Sequence, residues 1–274
     1  MKRSILILVL LLVIMIGMSA CGQAQAEADI LRVGMDLRFY PFTGTDAEGN
    51  PAGVEVDIAK ALGEYLNRQV EIVNTEFSML IPALQTGDID IIIGSMSITE
   101  EREKTVDFSN PYLYDKIVAL VNHNFSESHG ITDDTPVEKF FSYTDTRFIG
   151  INGSIAVSIP QSYGYEVETV TSDAVAEREI ATGNADVLVG AYTLYGMHNT
   201  NRETTMIYKN PIELSMTGMA VKEGNQELLN QVNDFLAQME ESGLNDQLRA
   251  DWDQAIGDKL FDDSLTLDYY LQRD

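Results

Sequence analysis

The sequence contains little of the chemistry on which metal sites, disulfides and catalytic triads depend. Its 274 residues include a single cysteine, Cys21, which excludes an intrachain disulfide and a cysteine-based metal site. Only three histidines occur, His123, His129 and His198, and each lies in polar, loop-like sequence where a solvated ring is the common outcome. We therefore predict no catalytic residue, no metal and no cofactor.

Positive charge is also scarce. The chain has 18 Lys and Arg residues against 43 Asp and Glu, and its formal net charge is −25 at pH 7. A surface of this sign repels phosphate backbones and anionic lipid headgroups, which argues against nucleic acid as a partner and against peripheral membrane binding. The acidity is consistent with simple solubility, and it leaves the charge of a ligand open because a cleft can carry the opposite local sign.

Long apolar runs are confined to the N-terminus. Lys2 and Arg3 precede an apolar run over residues 5–18, which is shorter than the roughly 20 residues that a transmembrane helix needs. A charged start followed by such a run is typical of a secretory signal peptide, which we predict for residues 1–20. A short polar linker over residues 21–29 would follow it, outside the cytoplasm.

The lone cysteine stands directly after this run. Cys21 follows Ser19 and Ala20 in a segment that resembles a bacterial lipobox, although Met18 stands where leucine is usual. The resemblance implies a lipid anchor on Cys21 that attaches the protein to the outer face of the cell membrane or keeps it in the periplasm. The alternative is an incidental apolar residue within an ordinary cleaved signal.

The remaining sequence alternates between strand-like and helical patterns, which indicates an α/β protein. Its most informative feature is a repeat, because LQTGDIDIIIG at residues 84–94 returns as IATGNADVLVG at residues 180–190. Each copy has the pattern of a helix end, a glycine suited to a left-handed cap at Gly87 or Gly183, and a buried strand. The repeat indicates two similar lobes.

We predict that the first lobe is discontinuous and that two segments, near residues 113–120 and 208–214, form a hinge. Loops at the carboxyl ends of the strands should line a cleft between the lobes. The predicted organisation is lobe 1 over residues 30–116 and 213–256, lobe 2 over residues 117–212, and an acidic C-terminal tail over residues 257–274.

The strongest chemical signal is the segment SMSITEER at residues 95–102, directly after a buried strand. Thr99 has the position of a helix N-cap, so that free backbone N–H groups would point at the loop. Arg102 would then lie in the first helical turn, where the helix dipole disfavours a cation. We infer from this that an anion is expected nearby.

The side chains of this segment suit a carboxylate. The planar guanidinium of Arg102 can hold a carboxylate through two parallel hydrogen bonds, and the hydroxyl of Ser97 supplies a third donor. The alternative is a surface arginine paired with Glu101 or Glu103.

Two stretches carry a family resemblance: GVEVDIAKAL at residues 53–62 and LIPALQTGDIDIIIGSMSITEEREKTVDFSNPY at residues 80–112. They closely resemble the polar amino acid-binding proteins of ABC importers, within the bacterial extracellular solute-binding proteins of family 3. The resemblance implies an α/β fold shaped as a two-lobed, periplasmic-binding-protein-like (type II) clamp with a two-segment hinge. It also implies a monomer that passes a small carboxylate ligand to ABC permease subunits.

The family motif assigns roles to several residues. In the relatives, the positions that match Arg102 and Ser97 grip the ligand's α-carboxylate, and Ser95 opens the same segment. The positions of Phe39 and Phe77 match two aromatic residues that would enclose the ligand's side chain, unless both are core residues.

Further matches are less direct. Asp36 matches an acid that contacts the side chain of cationic ligands in some relatives. In the second lobe, Gly153 and Ser154 resemble a loop of backbone donors, although the segment is one residue short.

The sequence departs from the family at Ala191. Relatives have an aspartate there that pairs with the ligand's α-ammonium, and no Asp or Glu occurs from Val187 to Arg202. Either the ligand's amine is absent, substituted or displaced, or another group meets the cation; the candidates are Asp36, Glu213 and Tyr192.

The predicted function is therefore that of the substrate-binding component of an ABC importer, which binds an amino acid or similar carboxylate without chemical change. A ligand sensor that reports to a signalling receptor is the first alternative. A dehydratase that uses a cleft carboxylate on the same fold is the second.

Overall fold

A computed structural model describes residues 29–239, 241–260 and 265–272. The predicted signal peptide, the lipidation site Cys21 and nearly all of the predicted linker lie outside these residues. Within the described ranges, no helix combines the length and the apolar character that crossing a membrane requires. The same ranges contain no group of three or more His, Cys, Asp or Glu side chains placed to hold a metal ion.

Strands and helices alternate along the chain, as the sequence predicts. The strands are β1 (Ile30–Met35), β2 (Gly44–Thr45), β3 (Pro51–Ala52), β4 (Gln69–Asn74), β5 (Ile91–Ile92), β6 (Val106–Phe108), β7 (Leu113–Asn122), β8 (Phe148–Ile151), β9 (Val167–Val170), β10 (Val187–Gly190), β11 (Thr205–Thr217) and β12 (Ala220–Lys222). The helices are α1 (Val54–Leu66), α2 (Leu80–Thr86), α3 (His123–His129), α4 (Val137–Phe140), α5 (Ile155–Ser162), α6 (Asp173–Thr182), α7 (Thr193–Thr200), α8 (Gln226–Gln238), α9 (Leu244–Leu260) and α10 (Leu267–Leu271).

Two five-stranded sheets form the centres of two lobes. The first sheet has the order β4-β1-β5-β12-β6, with β1 parallel to β5 and β12 antiparallel to both of its neighbours. The second has the order β11-β7-β10-β8-β9, in which β8, β9 and β10 are parallel and β7 is antiparallel to β10. Different apolar clusters pack against the two sheets, and Tyr192, which follows β10 of the second sheet, is buried in the cluster of the first lobe.

A long antiparallel pair connects the lobes. Strands β7 and β11 are paired from Leu113 and Thr217 at one end to Asn122 and Thr205 at the other, with a shift of register between Tyr208 and Glu213. Both predicted hinge segments lie within this pair. The residues at which the chain passes from one lobe to the other remain a prediction.

The repeated segment forms the same turn in both lobes. Gly87 ends α2 and Gly183 ends α6, and both glycines have left-handed backbone angles, with φ of 83° and 76°. This conformation favours glycine because a Cβ atom would clash with the backbone. Each turn leads into a buried strand of its sheet, β5 or β10.

An aspartate in each copy of the repeat forms an ion pair with an arginine. The guanidinium of Arg32 donates to both carboxylate oxygens of Asp90, and Arg147 does the same to Asp186 in the second lobe. Each arginine also donates to the carbonyl oxygen of the glycine that ends the preceding helix. The acids of the repeat therefore stabilise the turn, and neither lines the cleft described below.

The described part of residues 257–274, which the sequence predicts as an acidic tail, packs against the first lobe. Helix α9 continues to Leu260, and Leu265, Leu267 and Tyr270 are buried in the core of the first lobe. The ring of Tyr270 packs 4.8 Å from that of Phe42. The segment is short and rich in aspartate, so its apolar residues formed no pattern long enough to indicate a helix.

We predict that Leu267→Ala lowers the free energy of unfolding by about 2 to 5 kcal/mol, the range for removing a buried leucine side chain. Leu267 is fully buried, whereas Gln272 at the end of the same segment is exposed and provides a matched control as Gln272→Ala. Urea denaturation followed by the fluorescence of Trp252, the only tryptophan, measures both variants. Equal stability of Leu267→Ala and wild type would show that the segment does not contribute to the core.

Candidate functional site

A cleft between the two lobes holds about 830 Å³ of empty space, part of it open to solvent. All of the predicted ligand contacts except Asp36 line the cleft, namely Phe39, Phe77, Ser95, Ser97, Arg102, Ser154 and Tyr192. The structure thus brings together residues that are up to about 150 positions apart in the sequence, although their role in binding remains a prediction.

Arg102 begins a single 3₁₀ turn, Arg102–Lys104, rather than the helix that the sequence predicts. The turn stops there because β6 begins at Val106. Thr99 still acts at its start, since its hydroxyl accepts the backbone N–H of Arg102 at 3.3 Å. A turn this short has little dipole, so the helix dipole that the sequence predicts at Arg102 is not formed.

Burial, rather than a helix dipole, disfavours the charged form of Arg102. Its side chain is 8% exposed, and burial lowers the pKa of the guanidinium to about 10. No carboxylate among the described residues lies within ion-pair distance of it. Arg102 does not form a surface ion pair with Glu101, because the carboxylate of Glu101 pairs with Lys104 instead.

The guanidinium of Arg102 connects the two lobes. Its Nη1 donates to the carbonyl oxygen of Ser97 at 2.7 Å, and its Nη2 donates to the carbonyl oxygen of Gly153 in the second lobe at 2.9 Å. The Nε–H of Arg102 and the hydroxyl of Ser97 make no hydrogen bond to any residue that the structure describes. The ring of Phe77 lies 5.3 Å from the guanidinium carbon. Donors for a bound anion are therefore available at this point.

Ser95 lies in the cleft wall, but its polar groups are already occupied. Its backbone N–H and its hydroxyl donate to the two carboxylate oxygens of Glu55, at 2.8 and 2.6 Å. Its φ of 50° is in the left-handed region, which is uncommon for a residue other than glycine. The hydroxyl also lies 3.2 Å from that of Tyr192, which belongs to the second lobe.

Glu55 is a site residue that sequence reasoning missed. It is fully buried behind Ser95, where it also accepts a hydrogen bond from the hydroxyl of Tyr112. Burial raises the pKa of Glu55 and raises that of Tyr112 well above its usual range. In the sequence, Glu55 lies among ordinary acids of an amphipathic helix, so no local pattern distinguishes it.

The two predicted aromatic residues line the cleft in partly buried positions. Phe39 packs against the core of the first lobe and Phe77 against the opposite side of its sheet, so each ring belongs in part to the core and in part to the cleft. Each ring also lies near a guanidinium, that of Arg38 for Phe39 at 5.8 Å and that of Arg102 for Phe77.

Asp36 does not line the cleft, in contrast to the sequence-based expectation. It is 3% exposed, its carboxylate accepts from the Nε of Arg38 at 2.7 Å, and it also accepts the backbone N–H of Phe77 at 2.9 Å. The side chain of Arg38 does line the cleft. Asp36 therefore positions a cation at the cleft wall, a pairing that the sequence analysis did not consider.

Ser154 caps a helix at the edge of the cleft. Its hydroxyl accepts the N–H of Ala156 at 3.2 Å, at the start of α5, and donates to the carbonyl oxygen of Ile151. Gly153, just before it, has a φ of 75° and directs its carbonyl oxygen to Arg102. The loop thus contributes one acceptor to Arg102 and a helix N-terminus to the cleft.

The cleft contains acids that sequence reasoning did not identify. Ala191 lines it without a charge, and Glu213 is exposed and outside it. Asp115, on β7, and Asp173, at the start of α6, line it instead. A single acid within an apolar strand, LYDKIVAL, was the available signal for Asp115.

The two acids differ in their surroundings. Asp115 is 6% exposed, and burial together with the charge of Glu55 raises its pKa to about 7. Its carboxylate accepts one hydrogen bond, from the hydroxyl of Thr217 at 3.2 Å. Asp173 is half-buried, which raises its pKa, while the nearby charge of Arg38 acts in the opposite direction.

Comparison with characterised proteins finds amino acid-binding proteins that are similar to this chain over most of its length. The chain is 26% identical over 228 residues to the L-cystine-binding protein TcyJ of Escherichia coli, which covers 82% of this chain and 83% of that protein. It is also 26% identical to a probable histidine-binding protein of Neisseria gonorrhoeae, over 85% of this chain and 87% of that one.

Solved structures of similar fold include an ancestral arginine-binding protein bound to glutamine, with a TM-score of 0.69, 30% identity, and coverage of 81% of this chain and 97% of that one. Another is an ancestral amino acid-binding protein that is a precursor of cyclohexadienyl dehydratase, with a TM-score of 0.66, 31% identity, and coverage of 81% and 94%. These similarities confirm the predicted two-lobed fold.

The family model of bacterial extracellular solute-binding proteins, family 3, matches residues 31–255, nearly the whole described body. This match confirms the family that the motif at residues 80–112 indicated. The chain belongs to the bacterial extracellular solute-binding proteins of family 3.

Proposed function

We propose that the protein is the substrate-binding component of an ABC importer and that Arg102 holds the carboxylate of an amino acid-like ligand in the cleft. The observation that carries the proposal is the burial of the Arg102 guanidinium without an anionic partner among the described residues. An unpaired buried ion carries a desolvation cost of several kcal/mol, which a bound carboxylate would offset.

The geometry around Arg102 suits a carboxylate better than a phosphate or a neutral ligand. Two of its nitrogen atoms already donate to carbonyl oxygens, which fix the plane of the guanidinium, and its Nε–H has no partner among the described groups. The unpaired hydroxyl of Ser97 lies beside it and adds a donor. This small set of donors matches the two oxygens of a carboxylate.

The contacts between the lobes support a clamp. The bond from Arg102 to Gly153 and the contact between the hydroxyls of Ser95 and Tyr192 both join one lobe to the other. In the described form the lobes are in contact through these groups, and a ligand in the cleft would add further contacts from both sides. We propose that ligand binding drives closure of the lobes.

The relatives support an amino acid as the class of ligand. The proteins that match this chain over most of their length are named for cystine, histidine, arginine and glutamine. These side chains differ widely, whereas the α-carboxylate is common to all of them. A site built around Arg102 would recognise that shared group.

A dehydratase remains the second candidate function, because one observation favours it. Asp115 places in the cleft a carboxyl group whose pKa of about 7 suits proton transfer, and one structural neighbour is a precursor of a dehydratase. Recovery of the bound molecule unchanged, by mass spectrometry after incubation, would support binding alone. A product that lacks the elements of water would support the enzyme.

We also propose that the protein acts outside the cytoplasm as a monomer attached to the membrane through Cys21. The support is the sequence that surrounds Cys21 and the extracellular family. Delivery to a permease and signalling to a receptor would both use the same closed clamp, and transport assays in a strain that lacks the gene separate them.

We predict that Arg102→Ala weakens ligand binding by about 2 to 5 kcal/mol, the range for truncating one member of a buried charge pair. Arg102→Lys should not restore binding, because an ammonium cannot reproduce the two parallel hydrogen bonds. The assay is calorimetry with the tightest binder from a thermal-shift screen of amino acids. Lys104→Ala, which removes a nearby exposed cation paired with Glu101, is the control and should bind normally. Wild-type affinity in Arg102→Ala would remove Arg102 from the site.

We predict that the same ligand reduces the radius of gyration measured by small-angle X-ray scattering, since closure brings the lobes together. Arg102→Ala should show no such compaction at the ligand concentration that saturates wild type. A radius of gyration that is identical with and without ligand in wild type would contradict the clamp.

We predict that Cys21→Ser releases the protein from the membrane fraction and abolishes incorporation of labelled palmitate, because two acyl chains provide the attachment. Fractionation of cells that express wild type or Cys21→Ser measures this. Membrane attachment that persists in Cys21→Ser would exclude a lipid anchor on this residue.

A further inference from the structure

A carboxylate held by Arg102 accounts for only part of an amino acid, because the α-ammonium needs its own partner when the cleft closes. A buried ammonium without an anion would carry a penalty of several kcal/mol. The end of β10 offers only Ala191. The partner must therefore come from another element that reaches the cleft.

The hinge strand β7 reaches it. Gly190, the last residue of β10, pairs with Val118 of β7 in an antiparallel register, so the chain at Ala191 comes next to Ile117. Alternate residues of a strand lie on the same face about 7 Å apart, which places Asp115 one step further along the face of Ile117. Ile117, Asp115 and Ala191 all line the cleft.

We propose that Asp115, on the hinge strand β7, is the anionic partner of an ammonium group on the ligand. The end of β10 cannot supply this partner, because Ala191 is uncharged. The ligand class is then a primary amine that also carries a carboxylate, such as a free α-amino acid. This inference rests on the proposed function, since it assumes that Arg102 holds the carboxylate.

The surroundings of Asp115 support this assignment. Its carboxylate is buried, has one hydrogen bond from the neutral hydroxyl of Thr217, and has no cation within ion-pair distance among the described residues. Asp36 is bound to Arg38, and Glu55 is occupied by Ser95 and Tyr112. Asp115 is thus a cleft acid whose counter-charge the described chain does not supply.

Asp173 is the competing acid of the cleft. It is half-buried at the first residue of α6, where the positive end of the helix favours its ionised form, and the charge of Arg38 lies nearby. Its charge is therefore already balanced in part. Asp173→Asn therefore serves as the comparison variant for Asp115→Asn.

If Asp115 binds an ammonium, ligand binding is coupled to the protonation state of its carboxylate. The titratable groups that interact with Asp115 are Glu55, Tyr112, Tyr192 and Tyr270. Asp173 and Arg102 line the same cleft. Burial and the charge of Glu55 raise the pKa of Asp115 to about 7 in the free protein, so part of the population is protonated at pH 7. An ammonium favours the ionised carboxylate and lowers its pKa. Binding should therefore release protons near pH 7 and weaken as the pH falls below this value.

The test is calorimetry on three matched pairs, each an amino acid and the same molecule without its α-amine. The pairs are L-histidine and imidazolepropionate, L-glutamine and glutaramate, and L-arginine and 5-guanidinopentanoate. Each is titrated into wild type, Asp115→Asn, Asp173→Asn and Arg102→Ala. Asparagine keeps the size of the side chain and removes the charge, and thermal denaturation verifies that each variant is folded.

We expect wild type to prefer the amine-bearing member of the pair that it binds. Asp115→Asn should weaken that member by about 30-fold or more, the lower end for truncating a buried charge pair, and leave its partner without the amine within a few-fold. Titrations in phosphate and Tris buffers should show proton release in wild type and none in Asp115→Asn. Asp173→Asn should retain the preference for the amine.

Three outcomes would overturn the assignment while the proposed function stands, provided that Arg102→Ala weakens binding as predicted above. They are equal binding of both members by wild type, an unchanged preference in Asp115→Asn, and loss of the preference in Asp173→Asn alone. Wild-type affinity in Arg102→Ala would instead contradict the proposed function itself. If wild type binds none of the six probes and no amino acid in the thermal-shift screen, both the proposed function and the assignment fail.

Discussion

The cleft depends on a single buried cation. Arg102 is removed from solvent by residues of both lobes and is bound by carbonyl oxygens on either side, yet the described chain gives it no anion. In a low-dielectric site, this charge makes the closed form costly unless a ligand brings a negative group. Under the proposed function, the same charge would provide affinity, recognition of the carboxylate and the driving force for closure.

Two other acids, Glu55 and Asp36, are bound by groups of the protein itself. Glu55 holds the loop at Ser95 in an uncommon backbone conformation, and Asp36 holds Arg38 at the cleft wall. These acids act on the protein rather than on the ligand. Asp115 differs from them because its only described hydrogen bond comes from the neutral hydroxyl of Thr217.

The two copies of the internal repeat have the same structural role. Asp90 and Asp186 occupy the same place in both copies, and each binds an arginine that also contacts the carbonyl of a helix-ending glycine. These pairs stabilise the turns that lead to the cleft. The loops that follow the repeated strands then diverge, with Ser95 in one lobe and Ala191 in the other.

The sequence by itself determined the alternation of strands and helices, the two glycine caps, the presence of two similar lobes and the segment that contains Ser97 and Arg102. These features follow from residue periodicity and local motifs, which act over a few neighbouring positions. Only the tertiary structure decided which acids are bound by the protein, that Arg102 is buried without an anion, and that Asp115 lies in the cleft. Ion pairing and burial depend on distances between residues that are far apart in the chain, and a local pattern contains no information about those distances.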